Sequence, residues 1–180
     1  MKRIVLVAGI IAAFGLAVVV ANAGSAPNFA GTWTLDKSKS QGLDPRMANA
    51  ESVSCVITQD EKSLSIEWKI AGGQPPAGGG PGGGGGGGRG PSGPQSYTLD
   101  GKESTAEAMG GTNTTKATWS GDGKTLELSS VRTGSFNGND FKFTSVDKLS
   151  LSEDGKTLTI NRHRESQRGT TDSTLVFNKQ

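Results

Sequence analysis

Short runs in which apolar and polar residues alternate recur along most of the chain, and they constrain its fold more than any other feature. In the clearest run, residues 64–70, Leu, Ile, Trp and Ile alternate with Ser, Glu and Lys. A period of two is typical of a strand with one buried face. The same period recurs in nine further places: Trp33/Leu35, Val53/Cys55/Ile57, Tyr97/Leu99, Ala117/Trp119, Leu126/Leu128, Phe141/Phe143, Leu149/Leu151, Leu158/Ile160 and Leu175/Phe177.

Dipeptides that favour tight turns separate many of these runs: Asp100-Gly101, Asp122-Gly123, Asn137-Gly138 and Asp154-Gly155. Such dipeptides adopt the positive φ angles that two-residue hairpin turns require. Helical signal is confined to residues 43–51, where Asp44 can cap a helix and Pro45 can take its first position. Without helices to cover it, a sheet of hairpins hides its apolar face by curling. We expect an all-β, antiparallel up-and-down meander that closes into a barrel of about 8–10 strands, with a flattened sandwich as the alternative.

The amino terminus has the features of a secretory signal peptide. Lys2 and Arg3 precede an apolar run over residues 4–20, and Ala21-Asn22-Ala23 forms a small-residue cleavage site. A membrane anchor is the alternative, but the apolar run is short for one and no basic residues follow it. We expect residues 1–23 to be removed and the mature protein to be periplasmic or secreted. Gly24 rather than cysteine follows the site, so no lipid anchor is expected.

A glycine- and proline-rich segment interrupts the rest of the chain. Residues 71–94 contain 14 glycines and five prolines. This composition offers nothing to bury and a large backbone entropy, so it predicts a disordered loop. Neither side of the segment contains enough predicted strands for its own core. Residues 24–180 are therefore expected to form one domain with an inserted loop.

Charge and reactive residues exclude several classes of function. The chain has 19 basic and 17 acidic residues, and the signal peptide contains two of the basic ones, which leaves the mature domain balanced. A balanced domain is a poor candidate for binding nucleic acid or anionic membranes. Cys55 and His163 are the only cysteine and the only histidine. They form neither a catalytic set nor a metal site, so we expect no enzyme activity, no metal and no cofactor.

The turn positions also predict which residues oppose one another. Around Asp154-Gly155, Asp147 faces Arg162 and Ser145 faces Arg164, and around Asn137-Gly138, Arg132 faces Phe143. One face then carries an apolar layer followed by a polar layer. The apolar layer is Trp119, Leu126, Leu149, Leu151, Leu158 and Ile160, and the polar layer is Ser130, Arg132, Ser145, Asp147, Arg162 and Arg164.

An inward guanidinium is costly unless it is paired or wet, and arginine binds carboxylates through two hydrogen bonds. Arg132, Ser145, Asp147, Arg162 and Arg164 are therefore candidate binding residues for a ligand with an apolar body and an anionic head. Two alternatives remain open at this point. The strands can extend beyond the barrel so that these residues are solvated, or a bulge can turn the arginines outward.

The segment Asn28-Phe29-Ala30-Gly31-Thr32-Trp33-Thr34-Leu35 resembles the first strand of the calycin superfamily, which includes lipocalins and intracellular fatty-acid-binding proteins. The shared motif is Gly31-x-Trp33 after an aromatic residue. With Asp36-Lys37-Ser38-Lys39-Ser40 following, the chain is most similar to small exported bacterial lipocalin-like proteins. This resemblance implies a lipocalin-like barrel, expected to be monomeric, that binds a small hydrophobic or amphipathic ligand. The alternative is a non-catalytic structural or interaction protein of the cell envelope with a filled barrel.

Overall fold

The computed structural model of the chain describes residues 26–72, 93–108, 111–136 and 138–180. They form ten strands and one short helix, α1 (Pro45–Asn49). The strands are β1 (Gly31–Leu35), β2 (Ser52–Gln59), β3 (Ser63–Ala71), β4 (Gln95–Thr98), β5 (Ser104–Ala108), β6 (Gly111–Trp119), β7 (Leu126–Phe136), β8 (Asn139–Leu151), β9 (Thr157–Ser166) and β10 (Gly169–Lys179). The predicted signal peptide and residues 73–92 of the predicted loop lie outside the described residues.

All ten strands belong to one antiparallel sheet, in the order β4-β3-β2-β1-β10-β9-β8-β7-β6-β5. Strands that follow one another in sequence pair with each other, except β4 and β5, which form the two edges of the sheet. Strand β1 also pairs with β10, so the first strand lies beside the last. The sheet curls until β6 approaches β4, where the Thr115 hydroxyl donates to the Ser96 carbonyl at 3.3 Å. The predicted up-and-down barrel is confirmed, and it is nearly closed.

The barrel remains open between β4 and β5, and here one prediction was wrong and one strand was missed. Asp100-Gly101 does not join a hairpin, because β4 pairs only with β3 and β5 only with β6. Strand β5 was not predicted, since its sequence Ser-Thr-Ala-Glu-Ala has no large apolar residue to reveal a period of two. Strand β8 in turn unites two runs that were counted separately.

The loops at Asp122-Gly123 and Asp154-Gly155 are longer than the predicted two-residue turns. In each, a serine and a threonine still pair across the loop, as in the bond from the Ser120 amide to the Thr125 carbonyl at 2.9 Å. The Asp122 carboxylate accepts from the Ser120 hydroxyl and the Lys124 amide, at 2.5 and 3.1 Å. Each loop is longer than the predicted turn by one residue on each side, so the predicted strand register is unchanged. Around Asn137-Gly138, Phe136 pairs with Asn139, which is the register that the sequence predicted.

One end of the barrel, the filled end, is closed by apolar side chains. Leu126, Leu149, Ile160 and Leu175 lie in one layer across β7 to β10, and all are almost fully buried. Burying a side chain of this size stabilises the fold by about 1.5–3 kcal/mol. Leu126, Leu149 and Ile160 belong to the predicted apolar layer, as does the buried Leu158, whereas its Trp119 and Leu151 are only half-buried.

The Gly31-x-Trp33 motif lies at the same end and has a structural role there. Trp33 is fully buried, and its indole Nε1 donates to the Phe29 carbonyl at 2.9 Å. The ammonium of Lys179 lies 5.2 Å from the centre of the Trp33 ring. Gly31 has a φ of 141°, and a Cβ there would lie 3.1 Å from the Lys179 side chain. The motif thus joins the first strand to the last.

Helix α1 lies at the opposite end of the barrel, as part of the β1–β2 connection. The Asp44 carboxylate caps it by accepting from the Met47 amide at 2.9 Å, and Pro45 occupies its first turn. Met47 is buried against the core, and the Lys37 ammonium donates to the Ala50 carbonyl at the other end of the helix. The predicted helix and its cap are confirmed. They place Asp44 over the end of the barrel where the predicted polar layer lies.

Candidate functional site

Six inward-facing polar residues line the barrel end next to α1, and we refer to them as the polar mouth: Ser130, Arg132, Ser145, Asp147, Arg162 and Arg164. The strand register brings them together as predicted. Asp147 pairs with Arg162 and Ser145 with Arg164 across β8 and β9, and Arg132 pairs with Phe143 across β7 and β8. The assignment of ligand binding to these residues stays a prediction.

Asp147 and Arg162 form the floor of the polar mouth. Arg162 Nε and Nη2 donate to the two Asp147 oxygens at 2.8 and 2.6 Å, and both residues are buried, with 8% and 6% exposure. The Ser145 hydroxyl donates to Asp147 at 3.2 Å, and the guanidinium lies 4.7 Å from the Trp68 ring centre. Burial opposes the charge of Arg162, but the Asp147 carboxylate outweighs burial and raises the pKa of the guanidinium. For this pair the solvated and bulged alternatives are excluded.

Arg164 is half-buried above this floor and is only loosely paired. Its Nη1 lies 3.8 Å from Asp44 Oδ2, beyond hydrogen-bonding distance. Its Nε is buried and has no hydrogen-bond partner among the described residues. Burial, and then the neighbouring Arg162 cation, lower the pKa of Arg164 to about 10. The side chain therefore carries a charge at neutral pH that its surroundings compensate poorly.

Arg132 reaches the polar mouth from β7 and resembles Arg164 in its surroundings. Its Nε is also buried without a hydrogen-bond partner in the described part of the chain. Its guanidinium lies 5.8 Å from the ring centre of Phe141, as that of Arg164 lies 5.9 Å from the ring centre of Phe143. Both rings are half-buried. Two incompletely paired cations are thus bordered by apolar surface.

Tyr97 lies beside the polar mouth but was predicted only as an apolar strand residue. It is buried, and the Asp147, Arg162 and Ser130 side chains all influence its phenol. Burial, and then the Asp147 carboxylate, raise the pKa of the phenol, so Tyr97 is a neutral group. The run Tyr97/Leu99 could have indicated its inward direction. The residues that surround it depend on barrel closure, which no local pattern reveals.

A hollow of about 280 Å³ opens beside the polar mouth at the gap between β4 and β5. It is lined by Pro94, Gln95, Ser96, Ser104, Ala106, Asn113 and Thr115. Asn113 pairs with Arg132 and Thr115 pairs with Ser130 across β6 and β7, so the hollow lies next to the polar mouth along the sheet. A second hollow, of about 500 Å³, lies against the outer face of β8 to β10.

The other reactive residues lie away from the mouth or are inert. His163 faces outward, as predicted, and its Nδ1 lies 2.6 Å from an Asp172 oxygen. Burial raises the pKa of the Cys55 thiol to about 12, so it is not a nucleophilic thiolate at neutral pH. Among the described residues, no cluster of histidine, cysteine, aspartate and glutamate has the arrangement of a metal site. No helix in these same ranges is long and apolar enough to cross a membrane.

Comparison with known proteins gives little beyond the fold. No protein-family model matches the chain, and no curated protein matches its sequence. Among solved structures, zebrafish ileal bile acid-binding protein in complex with cholic acid is similar, with 14% identity and a TM-score of 0.46. The match covers 84% of this chain and 98% of the zebrafish protein. A similarity this distant gives no information about function, and the fold is established by the strand pairing described above.

Proposed function

We propose that this protein is a non-catalytic binding protein that holds the anionic group of a small amphipathic molecule at its polar mouth. The observation that carries the proposal is that Arg132 Nε and Arg164 Nε are buried and have no hydrogen-bond partner among the described residues. A buried donor without a partner costs about 1–3 kcal/mol, and more when it is charged. Both side chains are only half-buried, so an anionic ligand at their exposed part would compensate these poorly paired charges.

The surroundings of the two arginines favour an organic anion over a simple ion. Phe141 and Phe143 lie beneath the guanidinium groups and are half-buried, so they offer apolar contact next to the charges. The filled end has no comparable space, because Trp33, Phe177 and Leu149 are fully buried there. The apolar part of the ligand would therefore lie across the rim of the barrel rather than deep inside it.

The proposal includes export of the protein to the periplasm or the medium. Its support is the signal-peptide pattern of residues 1–23, with cleavage after Ala23. Intact-mass measurement of the exported form should give a chain that begins at Gly24. A mass that includes residues 1–23, or an added acyl chain, would contradict this part of the proposal.

The test of binding compares arginine variants of the purified protein with decanoate as the probe, by isothermal titration calorimetry. Arg132→Ala and Arg164→Ala should each weaken binding about ten- to hundredfold, which corresponds to the loss of one charged hydrogen bond. Arg46→Ala is the matched control, because Arg46 lies exposed on α1 at the same end. This control removes one positive charge, as the other variants do, but no proposed ligand contact. The affinity of the Arg46→Ala protein for decanoate should therefore differ little from that of the wild-type protein.

Two results would contradict the proposal. Absence of decanoate binding to the wild-type protein would favour the second candidate, a structural or interaction protein of the cell envelope, which the filled end of the barrel supports. An equal loss of affinity in the Arg46→Ala control would show long-range attraction rather than contact with Arg132 and Arg164.

A further inference from the structure

We infer that Asp44 restricts the polar mouth to ligands whose head group carries a single negative charge. This inference rests on the proposed function and adds to it the charge class of the ligand. The evidence is the position of Asp44, which is the N-cap of α1 and also the carboxylate nearest to Arg164, at 3.8 Å.

The charges of the polar mouth itself and of Asp44 can be assigned one by one. Arg132, Arg162 and Arg164 contribute three positive charges, and Asp147 neutralises Arg162 within a buried pair. Asp44 then partly offsets Arg164 without forming a hydrogen bond to it, and leaves a net charge of +1. A monoanionic head group completes this balance. A dianionic head group would place an excess negative charge next to the Asp44 carboxylate.

Asp44 cannot easily move away from such a ligand, because the fold holds it in place. Its Oδ1 accepts from the Met47 amide at 2.9 Å, and Met47 is buried in the core. At the other end of α1, the Lys37 ammonium donates to the carbonyls of Ala48 and Ala50. The helix is therefore fixed at both ends, and the Asp44 carboxylate keeps its position at the polar mouth.

The size of the effect follows from the exposure of the two groups. Two unit charges 4 Å apart interact by about 1 kcal/mol in bulk water, a roughly fivefold effect on affinity, and by much more when buried. The Asp44 and Arg164 side chains are 33% and 31% exposed. We therefore expect Asp44 to weaken binding of a dianion, relative to a monoanion, by about tenfold.

The experiment compares octyl sulfate, a monoanion, with octyl phosphate, a dianion at pH 8 because its second pKa is about 6. Dissociation constants are measured calorimetrically for the wild-type protein, Asp44→Asn and Asp44→Ser. Asn and Ser both cap helices well, so these variants remove the charge and keep α1. Asp60→Asn is the matched control, since it removes one carboxylate from the β2–β3 turn at the filled end.

In both Asp44 variants, the affinity for octyl phosphate relative to octyl sulfate should rise about tenfold above the wild-type value, and the control should leave this ratio unchanged. Introducing Arg164→Ala into the Asp44→Asn protein should remove most of this rise in relative affinity for octyl phosphate. An unchanged ratio in proteins that bind both probes would overturn the role of Asp44 and leave the proposed function standing. Absence of binding of either probe to any of the proteins would instead refute the proposed function itself.

Discussion

The Asp147–Arg162 pair gives the sharpest test of how the polar mouth is built. The two side chains are only 11% and 5% exposed and are joined by two short hydrogen bonds. Removing one partner of such a pair leaves a buried charge uncompensated, which costs about 3–5 kcal/mol. Asp147→Ala alone should therefore remove a large part of the roughly 5–15 kcal/mol by which a domain is usually stable.

Removing both partners should cost less than removing Asp147 alone. Arg162→Leu keeps an apolar side chain against Trp68, and replacing a whole buried ion pair by apolar residues is often neutral. We therefore expect a coupling energy of about 2–3 kcal/mol from the four proteins of a double-mutant cycle. Urea denaturation monitored by tryptophan fluorescence measures the free energy of unfolding of each protein.

A second cycle on the outer face of the same strands provides the control. Glu127 and Lys148 oppose each other on β7 and β8 at 3.5 Å, with side chains 45% and 57% exposed. Exposed pairs couple by less than about 1 kcal/mol. A coupling of that small size for Asp147 and Arg162 would contradict the buried ion pair, because it would mean that the two residues are solvated and that the polar mouth has no buried floor.

Two further predictions concern the rest of the chain. Asp172, and then Glu165, raise the pKa of His163 above its ordinary value. The stabilisation from the Asp172 contact is therefore complete below about pH 6.5, the unfolded-state pKa of histidine, and it declines as the pH rises through the raised pKa of the folded protein. Asp172→Asn should lower that pKa in an NMR titration of the only imidazole, and an unchanged pKa would contradict the contact. The predicted loop, residues 71–94, includes Ala71, which ends β3, so the cut is limited to residues 73–92. Shortening them to a short turn should change stability by about 1 kcal/mol or less, since loop-closure entropy varies only logarithmically with length. A collapse of the melting temperature would show instead that the segment packs on the barrel.

Elements that depend on neighbouring residues could be predicted from the sequence. Alternation with a period of two located most strands, because one face of each strand must be apolar. The turn dipeptides also determined the register of β7, β8 and β9, even where the turn type was wrong, since a loop that grows by one residue on each side keeps the same pairs. Asp147 could therefore be placed opposite Arg162, and Asp44 and Pro45 marked the start of α1.

Contacts that depend on barrel closure could be recognised only in the folded chain. Strand β1 pairs with β10, the Thr115 hydroxyl donates to the Ser96 carbonyl, and Asp44 approaches Arg164. These contacts join residues far apart in sequence, so no local pattern predicts them. Barrel closure also determines how well each arginine side chain is paired. Arg162 obtains its carboxylate from the neighbouring strand, whereas the Nε groups of Arg132 and Arg164 are buried by packing and have no hydrogen-bond partner in the ranges that the structure describes. This difference arises because strand register pairs immediate neighbours, while burial depends on everything that surrounds the barrel end.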